Sequence, residues 1–433
     1  MRDTECCRRY NRQKQVLARY LTTRGSARRV KWEMLVLLGL LLLCRGIGST
    51  HGSPDDHAGD GDMMSLLDFK RAITSDPKRA LATWNTSNPL CRWAGVACGR
   101  AHRGRVITSL GLAGQDLEGE ITSSLGNLTF LKTLNLSENS FSGRLPPLGR
   151  LGKLEVLDLS RNSLRDAIPD GIANCSSLRI LDLSENSLVG ELHPKLGLLS
   201  GLSALDLHGN RLRGTIPPSL DNMTHLKVLG LENNSLSGSI PAELGKLSNL
   251  WILSLGENIL SGGIPRCLGN LQQLRWMELD NNNLRGKIPV TLGNLQQLKL
   301  MDLSHSNLSG KIPRTLGNLQ QLIMMNLSNN NLRGKIPVTL GNLQQLQLMD
   351  LSHNNLSGKI PRTLENLQQL MWMDLNNNNL RGKIPRTLGN LQQLLSMDLS
   401  HNNLEGDIPS NLGDLGQLYH LDLSDNKLKG IIP

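Results

Sequence analysis

The chain has 433 residues, a formal net charge of +10 and an aromatic content of 3%, too few rings to fill an ordinary globular core of that size. Residues 1–33 carry ten Lys/Arg against Asp3, Glu5 and Glu33, which leaves the other 400 residues with a net charge of only +3. A nucleic-acid partner inferred from overall basicity is therefore excluded for the folded part, and leucines repeated in columns must supply the core.

Met34 to Cys44 is an apolar run of eleven residues between Arg28-Arg29-Val-Lys31 and Arg45. A bilayer takes about 20 apolar residues to span, so the run reads as a signal-peptide core and not as a membrane span. The basic stretch before it is long for such a leader, and Met34 is an alternative start. Residues 1–52 are read as leader and signal peptide, and residues 53–105 as an N-terminal cap. After a polar Gly/Asp spacer, Asp62 is expected to cap a helix whose Met63, Leu66, Leu67, Phe69 and Ile73 share one face, ended by Asp76-Pro77. Trp84-Asn85 and Cys91-Arg-Trp-Ala-Gly-Val-Ala-Cys98 follow, closing the open apolar end of what comes next.

From Val106 to the end the chain repeats with a period of 24 residues, most regularly between Arg266 and Pro409. A unit that short cannot bury its own apolar face, so a fixed period means a stacked solenoid. Fourteen repeats are counted over residues 106–433 from one turn position, occupied by Gln115, Ser306 and otherwise asparagine, as at Asn139, Asn282 and Asn426. An amide suits that place because it donates and accepts, satisfying backbone groups that a turn leaves open. Leu274, Met277, Leu279 and Leu284 point inward in the reference repeat. Leu-x-Gly-x-Ile-Pro follows the turn, glycine supplying an unusual backbone shape and proline a fixed φ. Thr-Leu-Gly-Asn-Leu-Gln-Gln-Leu then reads as a helical or 3₁₀ return. A second period of 48 residues alternates Leu-Arg-Gly-Lys-Ile-Pro-Val (Leu284, Leu332) with Leu-Ser-Gly-Lys-Ile-Pro-Arg (Leu308, Leu356), which reads as duplication of repeat pairs.

Asp62-x-x-x-Leu-Leu-x-Phe-Lys70, Trp84-Asn85, Cys91-x-Trp-x-Gly-Val-x-Cys98 and the Leu-x-Gly-x-Ile-Pro repeats resemble the extracellular region of plant leucine-rich-repeat receptor-like kinases and receptor-like proteins. The resemblance implies an α/β leucine-rich-repeat solenoid, a right-handed superhelical horseshoe with a parallel sheet on its concave face and a helical N-terminal cap. It implies a secreted or cell-surface recognition module for a peptide or protein ligand in defence or development. A co-receptor with a leucine-rich-repeat ectodomain is an implied partner, and the family's cap spacing implies a Cys91–Cys98 disulfide. Members also carry a C-terminal cysteine cap, a membrane helix and a kinase, none of which is in this sequence; it stops at Leu428-Lys-Gly-Ile-Ile-Pro433, inside a repeat, with Leu421, Leu423 and Leu428 expected to form an uncapped last layer. A secreted inhibitor resembling the polygalacturonase-inhibiting leucine-rich-repeat proteins and a non-functional truncated receptor product are competing readings.

No catalytic signature is present: there is no Gly-rich loop leading to a Val-Ala-Ile-Lys strand, no His-Arg-Asp loop and no Asp-Phe-Gly. No enzyme activity, cofactor or metal is expected. Asp302-x-x-His305 recurs as Asp350/His353 and Asp398/His401, but copies two repeats apart stand about 10 Å from one another, too far to share one zinc ion. Cys175 aligns with the inward Leu271 and Cys267 with Thr291 on the outer return, so the first is a core residue and the second a free thiol. Sequons stand at Asn85, Asn127, Asn135, Asn174, Asn222, Asn233, Asn307, Asn326 and Asn355. Strand alternation puts Trp276, Glu278 and Asp280 on the concave face. The Trp276 column runs Val228, Ile252, Trp276, Leu300, Met324, Leu348, Trp372, beside carboxylates at Glu278, Asp302, Asp350, Asp374 and Asp398. Trp276, Met324 and Trp372 are the expected anchors of a ligand, the carboxylates its selectors for basic groups, and His305, His353 and His401 the residues that offset this acidity at low pH.

Overall fold

A computed structural model describes residues 60–101 and 104–430. The leader and the apolar run 34–44 lie outside the described residues. Each repeat makes one coil of a solenoid. Its first element is a three-residue strand, and fifteen strands form one long sheet, from Val96–Ala101 to His420–Asp422. The first of these runs antiparallel to Gly104–Gly111 and the other fourteen are mutually parallel. Register follows the 24-residue period, Trp276 beside Leu300, Met277 beside Met301 and Glu278 beside Asp302. The strands are short because Met277 and Leu279 point inward, both fully buried, and the chain turns directly afterwards.

Asparagine makes that turn. Asn282 Nδ2 donates to Leu279 O at 3.2 Å and Asp280 O at 3.0 Å in its own repeat, and to Leu255 O at 3.0 Å in the repeat before. Its Oδ1 accepts from the Leu260 N–H of that earlier repeat at 2.9 Å. The same four bonds recur at Asn186, Asn354 and Asn426. The amide thus closes its own turn and ties two coils together.

The Leu-x-Gly-x-Ile-Pro stretch that follows the turn, given no regular structure by the sequence, opens with a second set of strands. Asn283–Lys287, Asn307–Gly310, Asn331–Gly334 and Asn355–Gly358 pair in parallel within an eight-stranded sheet. Gly286 and Gly310 hold φ of +85° and +83° there, a conformation other residues resist. The return is 3₁₀, as at Arg266–Asn270, entered from Pro265 with φ −64°. Leu268 and Gly269 are buried in that turn, and a Cβ on Gly269 would meet Thr291 O at 2.3 Å, so the coils stack too closely there for any other residue.

The cap differs from expectation in two details. Its helix spans Asp60–Arg71, so Asp62 lies inside it, and the Asp62 carboxylate accepts from the Ile107 N–H at 3.3 Å instead of capping. Ile73 is not helical but begins the strand Ile73–Ser75, paired antiparallel with Glu118–Glu120; pairing with an open sheet edge outweighs the helical spacing. Four of the chain's few aromatics meet at this end. Phe69 lies 6.2 Å from Trp84 and 5.8 Å from Phe141, and Trp84 stacks on Trp93 at 5.4 Å. Cys91 and Cys98 are disulfide-bonded. Cys175 is fully buried, with its thiol pushed up to about 11 by that burial, and Cys267 is a free, half-buried thiol.

Two expectations on stability follow from these contacts. At Ser306 the hydroxyl reaches only Asn282 O, at 3.3 Å, and no amide oxygen stands where the Leu284 N–H would find one. Ser306→Asn should therefore raise the unfolding free energy by about 1 kcal/mol; an unchanged urea midpoint would show that water already serves this rung. The Cys91→Ala/Cys98→Ala double variant should lose about 2–3 kcal/mol from the cap, the entropy of a short closed loop, seen as faster proteolysis between residues 60 and 105; equal cleavage rates would remove that role.

Candidate functional site on the long sheet

The long sheet turns one row of side chains inward and the alternate row outward. Outward positions two residues apart along each coil, such as Trp276 and Glu278, form parallel columns set side by side by the register. In the first column Trp276, Leu300 and Trp372 are half-buried, whereas Val228, Ile252, Met324 and Leu348 are 2–5% exposed. Met324 stands between Leu300 and Leu348, each one strand spacing away, and they cover most of it. Of the expected anchors, Trp276 and Trp372 keep accessible surface and Met324 contributes little.

The carboxylate column is doubly engaged. Asp302 Oδ1 accepts from Ser304 N–H at 3.0 Å and Ser304 Oγ–H at 2.6 Å, and Asp350 and Asp398 do the same with Ser352 and Ser400. Each of these carboxylates closes the turn two residues on through Oδ1, while Asp302 Oδ2 accepts from Asn326 Nδ2 at 3.2 Å and Asp398 Oδ2 from Asn376 Nδ2 at 2.9 Å. Glu278 and Asp302 are buried at 9% and 4% exposure, while Asp350, Asp374 and Asp398 are half-buried. Asp374 has no serine hydroxyl. Burial, then the Asp350 and Asp398 carboxylates on either side, push its carboxyl up to about 7 against one backbone bond from Asn376.

His305, His353 and His401 occupy a left-handed turn position with φ of 50–51°, beside the carboxylates but one turn further on. His305 Nε2 lies 3.4 Å from Asn329 Nδ2, and His401 Nδ1 lies 3.3 Å from Asp425 Oδ2. Among the described residues no ion pair joins His353 to Asp350 or His401 to Asp398. Among the described residues no group of His, Cys, Asp or Glu could hold a metal ion.

Two clusters escaped the sequence reading because they break the consensus in neighbouring columns. Trp251, one residue before its strand, lies between Lys227 at 5.0 Å and Arg275 at 4.8 Å from its ring. His208 replaces a turn serine and is buried, Nδ1 2.8 Å from Asp206 Oδ1 and Nε2 3.5 Å from Glu185 Oε1. Burial alone would lower it, but the Asp206, Glu185 and Glu232 carboxylates raise it to about 10. Asp182, one rung back, is driven well above the usual range by burial and by Asp206 and Asp158. A histidine at a serine position of the repeat was the available signal.

Of the sequon asparagines, Asn85, Asn127, Asn174, Asn222, Asn307 and Asn355 are exposed. Asn233 is half-buried, and so are Asn135 and Asn326, whose Oδ1 atoms accept from Ser137 and Ser328 as the aspartates do elsewhere.

The fold has counterparts among known proteins. A leucine rich repeat N-terminal domain model matches residues 60–99, and leucine rich repeat models match residues 147–188, 272–332 and 368–428, with shorter matches between. The solved Arabidopsis receptor kinase HAESA, in complex with the peptide hormone IDA and the co-receptor SERK1, is 31% identical with TM-score 0.66, over 87% of this chain and 71% of that one. The chain belongs to the leucine-rich-repeat family, homologous to plant receptor-kinase ectodomains. A TDR receptor structure is 35% identical with TM-score 0.73, over 75% of this chain and 56% of that one. The LRR receptor-like serine/threonine-protein kinase EFR of Arabidopsis thaliana is 49% identical over 100 residues, 23% of this chain. The aligned stretches span only about a tenth of the curated relatives' own lengths, 10% for EFR and 8% for the putative receptor-like protein kinase At3g47110. Among the described residues no helix is long and apolar enough to cross a membrane.

Asp374 sets a stability expectation for this face. Its carboxyl titrates near 3.8 when unfolded and near 7 when folded, so between those values the folded chain holds more protons. Stability should then fall as pH rises through that window. Asp374→Asn keeps the turn and removes the charge; it should gain roughly 1–3 kcal/mol at pH 8 and little at pH 4. Equal gains in urea unfolding at both pH values would place the effect elsewhere.

Proposed function

We propose that this chain is an extracellular recognition module that binds a peptide or protein ligand on its long-sheet face, in the apoplast or at the outer face of the plasma membrane. On this reading residues 1–52 are a secretory leader, 53–105 the cap and 106–433 the binding array, acting by recognition and not by catalysis. The observation that carries it is the pair of half-exposed indoles, Trp276 and Trp372, on one apolar column beside a carboxylate ladder. They stand four strands apart, about 19 Å, which an extended peptide of about six residues spans. Large aromatics with accessible faces are favoured as anchors. The negative charge of the column Glu278, Asp302, Asp350 and Asp374 would select a basic group on the ligand, and Met324 floors the stretch between the indoles. HAESA is solved with a peptide hormone and a co-receptor, which supports a peptide as ligand here and a leucine-rich-repeat co-receptor as second partner.

The test is a panel of basic and acidic extended peptides measured by calorimetry against the secreted protein. Trp276→Ala and Trp372→Ala should each weaken a selected basic peptide by roughly tenfold or more. Affinity for a basic peptide should also fall between pH 7.5 and 5.5, because the Asp374 carboxyl, raised to about 7, loses its charge across that range. Unchanged affinity in both tryptophan variants would move the ligand off this face.

A further inference from the structure

The second sheet carries a charge pattern that the peptide reading leaves unused. Across its five successive segments 283–291, 307–315, 331–339, 355–363 and 379–387 there are eleven Lys/Arg and no Asp/Glu. One lysine recurs in every rung, at Lys287, Lys311, Lys335, Lys359 and Lys383, all exposed. The second cation alternates. Arg285, Arg333 and Arg381 stand on the strand, and in the rungs where serine replaces them Arg314 and Arg362 stand on the following turn. The 48-residue alternation therefore holds at least two cations in every rung. Among the described residues none of the five lysines or of these five arginines has a carboxylate within salt-bridge distance.

The lysines are also held in place. A Cβ on Gly310 would meet Lys287 Cγ at 2.9 Å, and one on Gly358 would meet Lys335 Cγ at 2.9 Å. Each aliphatic stem lies against the bare glycine of the next rung, which orients the ammonium groups before anything binds.

We propose that this face binds a linear acidic polysaccharide, a chain of sugar rings bearing carboxylates, laid across the five rungs. The strands, ~4.8 Å apart, carry the cations over about 19 Å, a line of charge that only a polyanion can answer. The outward side chains of the strands are asparagine, arginine or serine, and lysine, so amides and hydroxyls stand beside the cations and match sugar hydroxyls. No aromatic lies in the five segments, so nothing offers the stacking platform that single-stranded nucleic acid uses. Asn307 and Asn355 are sequons at the opposite end of their strands from Lys311 and Lys359, about 13 Å along the chain, so glycans there leave the lysine edge open. This site is separate from the indole column and stands or falls independently of it.

The experiment uses the secreted protein expressed from the full chain, with polygalacturonate as probe. Binding is expected at low salt, weakening steeply as salt rises, and absent for the fully methyl-esterified polymer. Lys311→Gln/Lys335→Gln/Lys359→Gln should reduce affinity at least tenfold at an unchanged melting temperature. The matching Lys→Arg triple variant should retain it, whether or not the glutamine variant folds. Trp276→Ala and Trp372→Ala should leave it unchanged. No binding of polygalacturonate, equal binding by the glutamine variant, or tighter binding of duplex DNA or phosphatidylserine vesicles at the same salt would each overturn the proposal.

Discussion

The asparagine at the end of each long-sheet strand is the contact on which the rest depends. A coil of 24 residues must leave its strand within three residues, and that turn exposes backbone carbonyls and an N–H inside the solenoid, where water cannot serve them. One side-chain amide serves three carbonyls and one N–H, in two consecutive coils. It therefore fixes the turn and the stacking at once. Leucine could fill the same volume but could not close the turn, and serine at position 306 is too short to span both coils.

Stacking at that register also sorts the charge. The folded part has a net charge near neutrality, yet from Trp276 to Thr387 the long-sheet strands carry carboxylates and no cation, and the second-sheet strands carry cations and no carboxylate. Carboxylates gather on the long sheet because aspartate at the strand end caps the following turn through the Ser304-type hydroxyl. The cations gather on the second sheet, where outward strand positions demand solubility and the glycine of the next coil accommodates a lysine stem. A repeat protein multiplies any such preference by its number of coils. Two sets of strands of opposite sign are the result.

Like charges one strand apart are costly, and the chain answers in different ways. Ser304, Ser352 and Ser400 hydroxyls donate to the aspartates two residues before them. At Asp374, which lacks one, the carboxyl is held near 7. At the other end of the sheet His208 carries a buried positive charge among Asp206, Glu185 and Glu232. A buried cation hydrogen-bonded to carboxylates is hard to remove without leaving them unpaired, so this cluster fixes the geometry of its rungs more than it adds stability.

By itself the sequence determined the period, the inward leucines, the turn asparagines, a helical or 3₁₀ return and the outward column of Trp276, because each is local to one coil and repeated many times. What lay between coils was decided only by tertiary structure. The second sheet was hidden because a strand containing glycine at φ +85° gives no strand signal until a neighbouring coil supplies its hydrogen bonds. Ile73 left its helix for the same reason, an open sheet edge at Glu118–Glu120. The burial of Met324, the raised carboxyl of Asp374 and the Trp251 sandwich between Lys227 and Arg275 all depend on residues about 24 positions apart meeting side by side. Side chains that far apart in the chain do not touch until the coils stack, and the stacking distance decides which remain exposed and which carry charge.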